Sequence, residues 1–256
     1  YLMTAAGARV VSVLVIILLA VRRDWTLATF FLLVLNPFML FAASFSNIDL
    51  LVYTLPVLLW EIGGEQKRGG WLLRGLAAAL MILKPQGAVL ILPYLAWRER
   101  ERWPSLVHAA AFAAVLTVPI SFVGSPPLLV GWVENILGGS YGVYNNISLT
   151  SLVGFPLAVM IVLVAFGSLA FIIRDRWSYN HSVATMLLAA MLLSPYTSHQ
   201  SIIAAMAFIP SWKSVGFIYA IALPASLLGL YDASAAGFWM LLFSIASLWL
   251  FKNEDL

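Results

Sequence analysis

About eleven apolar stretches, separated by short polar turns, take up almost the whole of this 256-residue chain: 5–21, 26–44, 48–62, 71–83, 87–97, 104–122, 151–173, 180–194, 200–211, 214–230 and 234–251. A membrane-spanning helix needs roughly 20 apolar residues, and fewer where a half-helix stops inside the protein. With 62% of residues hydrophobic and only 10% charged, a water-soluble domain of this length would have an almost wholly apolar surface. The fold class that follows is all-α, a polytopic integral membrane protein with about eleven transmembrane or half-membrane helices in one domain, 1–256. The chain has no cysteine, which excludes disulfides and thiolate metal sites, and its three histidines are scattered, so neither a metal nor a cofactor is expected. The net charge of +3 rests on few basic residues placed by the membrane, and does not point to nucleic acid. The opening YLMTAAGARVV carries no initiator Met and no charged leader, so the expectation is a chain lacking its natural N-terminal helix and first outer loop.

The basic residues set the topology. Arg22 and Arg23 follow the first stretch; Lys67, Arg68 and Arg74 surround the turn between the third and fourth. Arg98, Arg100 and Arg102 follow the fifth, Arg174 and Arg176 the seventh, Lys213 the ninth and Lys252 the last. If each stretch crosses once, all of these fall on one face, which the positive-inside rule makes cytoplasmic. The N-terminus is then outside and the C-terminus inside, in what is expected to be a prokaryotic plasma membrane. Only Arg9 and Lys84 fall elsewhere. A single helix over 71–97, kinked at Pro85, would put the basic clusters before and after it on opposite faces, so two short segments folded as a hairpin are expected.

Lys84 then sits at the apex of that hairpin, within 82-ILKPQGAVL-90, where a charge at membrane depth costs at least about 2.5–3.5 kcal/mol. Pro85 suits the first position of a helix. The free N–H groups and positive dipole end of that helix would converge with the lysine ammonium, with Gln86 beside them, as an anion site suited to a lipid-borne phosphate. The plainer reading is a lysine reaching outward to lipid headgroups.

Other polar residues on the outer side belong to 46-SNIDLL-51, to the long loop 123–150 and to 193-LSPYTSHQ-200. Asp49 can deprotonate a hydroxyl or simply cap a helix, and Asn47 lies beside it. Glu134 reads as solvated and Asp232 as a turn residue. Asn146 and Ser148 supply donors or caps where the loop re-enters the membrane, and Trp132, Tyr141 and Tyr144 fit an interfacial belt better than a sugar platform. His199 can bind phosphate or move a proton, with Gln200 next to it.

In this order, 46-SNIDLL-51, 82-ILKPQGAVL-90, 146-NISLTSL-152 and 193-LSPYTSHQ-200 resemble glycosyltransferase family 87 of the GT-C superfamily. The resemblance implies a multi-helix membrane enzyme that takes a sugar, mannose by default, from a polyprenyl-phosphate donor at the outer face, without a metal. Lys84, Gln86 and His199 would lie near the donor phosphate; Asn47, Asn146, Ser148 and Gln200 would shape the cavity. Enzymes of this superfamily usually carry their catalytic acid in the first large outer loop. That loop would precede Tyr1 here, which leaves Asp49 as the substitute.

The function expected is transfer of a hexose from polyprenyl phosphate to a lipid or glycan acceptor, in contact with membrane lipids. Two rival classes share the composition. A lipid or solute transporter would also break helices at mid-membrane, but would call for an inverted repeat, and none is evident. A non-catalytic subunit of a membrane complex would need partner subunits and would tolerate loss of Lys84.

Overall fold

The computed structural model describes residues 2–35, 49–66, 68–83, 85–124, 149–154, 156–164, 178–193 and 201–208, with isolated positions at 127, 130, 131, 134, 216, 220 and 246. Among the described residues the structure is helical, without a strand. The first helix, α1 (Leu2–Arg22), buries a stripe of Ser12, Val15, Ile16 and Leu19, the spacing of one helical face. Its opposite face exposes Val10, Leu14, Ile17, Leu18 and Val21, so beyond Arg9 both faces of the helix are largely apolar. It ends at two arginines and a left-handed Asp24 (φ 49°), after which the Thr26 hydroxyl caps α2 (Leu27–Val34) by accepting from the Thr29 amide at 3.2 Å.

A π-helical turn over Leu50–Thr54 runs straight into α3 (Leu55–Glu65). Next come α4 (Gly70–Ile82), α5 (Pro85–Arg98) and, after the 3-10 turn Arg100–Arg102, α6 (Trp103–Ser121). Gly63 and Gly70 let α3 and α4 touch backbone to backbone, since a Cβ at Gly70 would lie 2.0 Å from the Gly63 carbonyl oxygen. Residues 100–121 form the one helix among the described residues that is long and apolar enough to cross a membrane. This helix buries Ala109 and Ala113 and leaves Val107, Val115, Val118 and Ile120 exposed.

The hairpin expected over 71–97 is present. Arg74 in α4 is bonded to Glu99 just past α5, although in one continuous helix those residues would stand about 37 Å apart at 1.5 Å per residue. Its arms, 13 and 14 residues, are about 20 Å long, short of a hydrocarbon core of about 30 Å.

After α6 the described chain resumes at α7 (Leu149–Val153), α8 (residues 156–164), α9 (Tyr179–Leu193) and α10 (Ile202–Met206). The stretch expected as one helix over 151–173 is broken: Gly154 is left-handed (φ 82°), a conformation that ends a helix, and the described chain is helical again at 156–164, with the Ala158 amide bonded to the Gly154 carbonyl. Every residue of α9 from Val183 to Leu193 is buried, so α9 is the central helix, packed on α5, α7 and α10. Expected stretches 5–21, 71–83, 87–97, 104–122 and 180–194 match α1, α4, α5, α6 and α9 to within a few residues. The stretches 214–230 and 234–251 lie outside the described residues apart from isolated positions, as does 26–44 beyond Leu35.

Candidate active site

The bundle has two chemically distinct ends. At one end the C-termini of α1, α3 and α5 meet the N-termini of α4, α6 and α9. Arg22 pairs with Glu65 and lies 3.5 Å from Glu61, while Arg23 bonds Glu61 at 2.6 Å. The Glu99 carboxylate accepts from Arg74 and from the Trp60 indole at 3.0 Å. Arg74 also donates to the Ser105 hydroxyl at 3.0 Å, and Arg102 to the Gly64 carbonyl. The Arg98 guanidinium lies 5.0 Å from the centre of the Tyr179 ring. Burial, reinforced by the negative charge of Glu61, pushes the Tyr179 phenol well above its ordinary range. The gathering of Arg22, Arg23, Arg74, Arg98 and Arg102 at one end is what the charge pattern called for.

The candidate site lies at the other end. Arg98 and Tyr179 fix α5 and α9 as antiparallel neighbours of nearly equal length, so the Pro85 end of α5 lies beside the Leu193 end of α9. Asp49 stands about 18 Å along the helix from Glu61, toward that same end. Two buried hydroxyls tie it together: Thr150 donates to the Leu193 carbonyl at 2.8 Å, and Thr54 to the Ala204 carbonyl at 3.2 Å. The described flanks of all four motifs (Asp49-Leu50, Leu83 and Pro85, Leu149-Thr150, Leu193 with Ser201) therefore share one end of the bundle.

Of the sequence candidates, Asp49 is fully described. It is 1% exposed, its backbone is already helical (φ −62°, ψ −33°), and its side chain makes no capping bond. The capping explanation does not hold, and a carboxylate is buried at the head of a π-helical turn, a feature frequent at functional sites. Gln86 is in the first turn of α5, which begins at Pro85 as expected. Glu134 is exposed, in keeping with a solvated residue. Asn47, Lys84, Asn146, Ser148, His199 and Gln200 lie outside the described residues. No group of His, Cys, Asp and Glu suited to a metal occurs among the described residues. Thr150 and Thr54 were not singled out from the sequence, although Thr150 lies within 146-NISLTSL-152.

Among the described residues, fold and site together define a helical protein with a charged end and, toward the opposite end, a buried carboxylate and the start of α5. Residues 1–198 match the model of glycosyltransferase family 87, and the chain belongs to that family. The match spans three of the four motifs and reaches into the fourth. No curated protein and no solved structure matches the chain. Membership carries glycosyltransferase activity, and with it a sugar donor and an acceptor; the family is membrane-associated.

Proposed function

We propose that the chain transfers a mannose-like hexose from a polyprenyl-phosphate donor to a lipid or glycan acceptor at the outer face of a plasma membrane. Its N-terminus is outside and its C-terminus cytoplasmic. The observation that carries the reading is the start of α5 at Pro85, immediately after Lys84, at the end of the bundle opposite the arginine cluster. A helix N-terminus beside a lysine favours an anion, and the phosphate released from a lipid-phosphate sugar is the anion this chemistry requires.

The acceptor hydroxyl attacks the anomeric carbon, the bond from that carbon to the donor phosphate oxygen breaks, and the lipid phosphate leaves with the electron pair. Lys84, the first turn of α5 with Gln86, and His199 hold the developing phosphate charge, as electrostatic preorganisation requires. Asn47, Asn146, Ser148 and Gln200 shape the cavity. Asp49, 1% exposed at the head of the π-helical turn, takes the acceptor proton.

The test is transfer from synthetic polyprenyl-phosphate-mannose by the purified chain and by Lys84→Ala, compared at equal folded amounts. Loss of transfer in the variant supports the reading; transfer at the parent rate overturns it.

A further inference from the structure

At the charged end a cleft of about 470 Å³ opens between α1, α3, α5 and α9. It is far from the proposed chemistry and independent of it. Four arginines and four glutamates line it, but Arg74 takes Glu99 from behind, which leaves the cleft with a positive excess. The internal pairs use up Arg22 and Arg23 on Glu61 and Glu65. Arg98 and Arg102 on the rim are differently placed. Among the described residues Arg98 has neutral partners, the Tyr94 hydroxyl at 3.3 Å and the Tyr179 ring. The Arg102 side chain is 58% exposed and stands 3.9 Å from a Glu99 carboxylate that already serves Arg74 and Trp60.

The surplus is of donors, not acceptors. The Nε–H groups of Arg22 and Arg23, both at the cleft, have no hydrogen-bond partner among the described residues, while the Tyr179 hydroxyl is bonded to Glu61. An anion with several acceptor oxygens is the ligand such a wall lacks. The surroundings narrow its source. Trp97 and Trp103, on either side of the rim arginines in sequence, are 45% and 65% exposed, the placing of indoles at a membrane–water boundary. Basic pockets between helices on the positively charged side of a membrane protein bind phosphate headgroups.

We infer that this cleft binds a phosphate group, carried by an anionic membrane lipid, between Arg98 and Arg102, on the face opposite the transfer site. The lipid would bridge the α5–α6 turn to α1 and α9 and hold the charged end together.

The experiment is native mass spectrometry of the full chain in mild detergent, titrated with phosphatidylglycerol, with phosphatidylcholine, and with inorganic phosphate as competitor. The expected result is preferential retention of phosphatidylglycerol, weakened roughly fivefold by Arg98→Gln or Arg102→Gln and roughly twentyfold by both. Glu101→Gln, which removes a carboxylate from the lining, should tighten retention severalfold, a gain that misfolding cannot mimic. If inorganic phosphate competes while phosphatidylglycerol binds no better than phosphatidylcholine, the phosphate site stands and its source is a soluble anion. Equal retention of both lipids without competition by phosphate, or retention unchanged in the arginine variants and in Glu101→Gln, overturns the assignment.

Discussion

Arg74 and Glu99, 25 residues apart, are joined by an ion pair whose guanidinium is only 2% exposed, and this pair closes the α4–α5 hairpin at its base. The glutamate also accepts from Trp60 on α3, so one carboxylate links three elements. Removing one member of a buried pair leaves the other charge without compensation, which costs about 3–5 kcal/mol, whereas replacing both with apolar residues is frequently near neutral. Glu99→Ala should therefore destabilise the protein by that amount. Arg74→Met with Glu99→Met should recover most of the loss, apart from the bond to Trp60. Thermal unfolding in detergent ranks the two; a single variant as stable as the parent would show that the pair holds nothing.

The turn before the hairpin makes a second prediction. At Gly70 a methyl group would meet the Gly63 carbonyl at 2.0 Å, and backbone cannot give way as a flexible side chain can. Gly70→Ala should cost about 1–3 kcal/mol or more by overpacking. Gly7, in α1, has nothing within 4 Å of the same methyl, so Gly7→Ala should be neutral or stabilise by up to about 1 kcal/mol through helix propensity. Equal melting temperatures for the two variants would refute the close contact of α3 and α4.

Much of this architecture was legible because hydropathy and basic residues are local signals. The ends of α4, α5 and α6, the start of α5 at Pro85 and the gathering of arginines at one end all follow from them. The carboxylates Glu61, Glu65 and Glu99 were not legible as partners, since pairing across 25 to 43 residues depends on which helices pack side by side. Their signal was weak but present: each falls at the same end of its apolar run as the arginines. The break at Gly154 was hidden by uniform hydropathy, which does not register a backbone angle. Asp49 was recognised as a carboxylate at the head of a segment, but its burial is a tertiary fact, set by how the π-helical turn is enclosed.

Tyr179, at the charged end just before the apolar stretch 180–194, gives a prediction in pH. Its phenol is held well above the ordinary value near 10, first by burial and then by Glu61. The neutral form is thus favoured in the folded state. That contribution is complete below about pH 10 and is lost, at about 1.4 kcal/mol per pH unit, as pH rises toward the raised folded value. Tyr179→Phe, which cannot ionise, should lose stability more gradually than the parent between about pH 10 and pH 11. Parallel alkaline melting curves for the two proteins would remove Tyr179 as the cause.

The proposed chemistry makes the sharpest prediction at two residues with separable roles. On the proposed chemistry, Lys84→Ala removes the charge assigned to the leaving phosphate, so turnover should fall by about 10²–10³, while Lys84→Arg, which keeps the charge, should retain part of it. Asp49→Asn tests the proton acceptor. Asparagine is nearly isosteric with aspartate, so a structural role would leave turnover largely intact. As the general base, Asp49 should lose about 10²–10⁴ in turnover when its carboxylate becomes an amide, with donor binding little changed. Steady-state rates against polyprenyl-phosphate-mannose, with thermal melts to confirm equal folding, read both at once. A turnover deficit confined to Lys84→Ala would keep the phosphate site and move the base elsewhere. Full activity in Asp49→Asn, at a position 1% exposed, would reduce Asp49 to a structural residue.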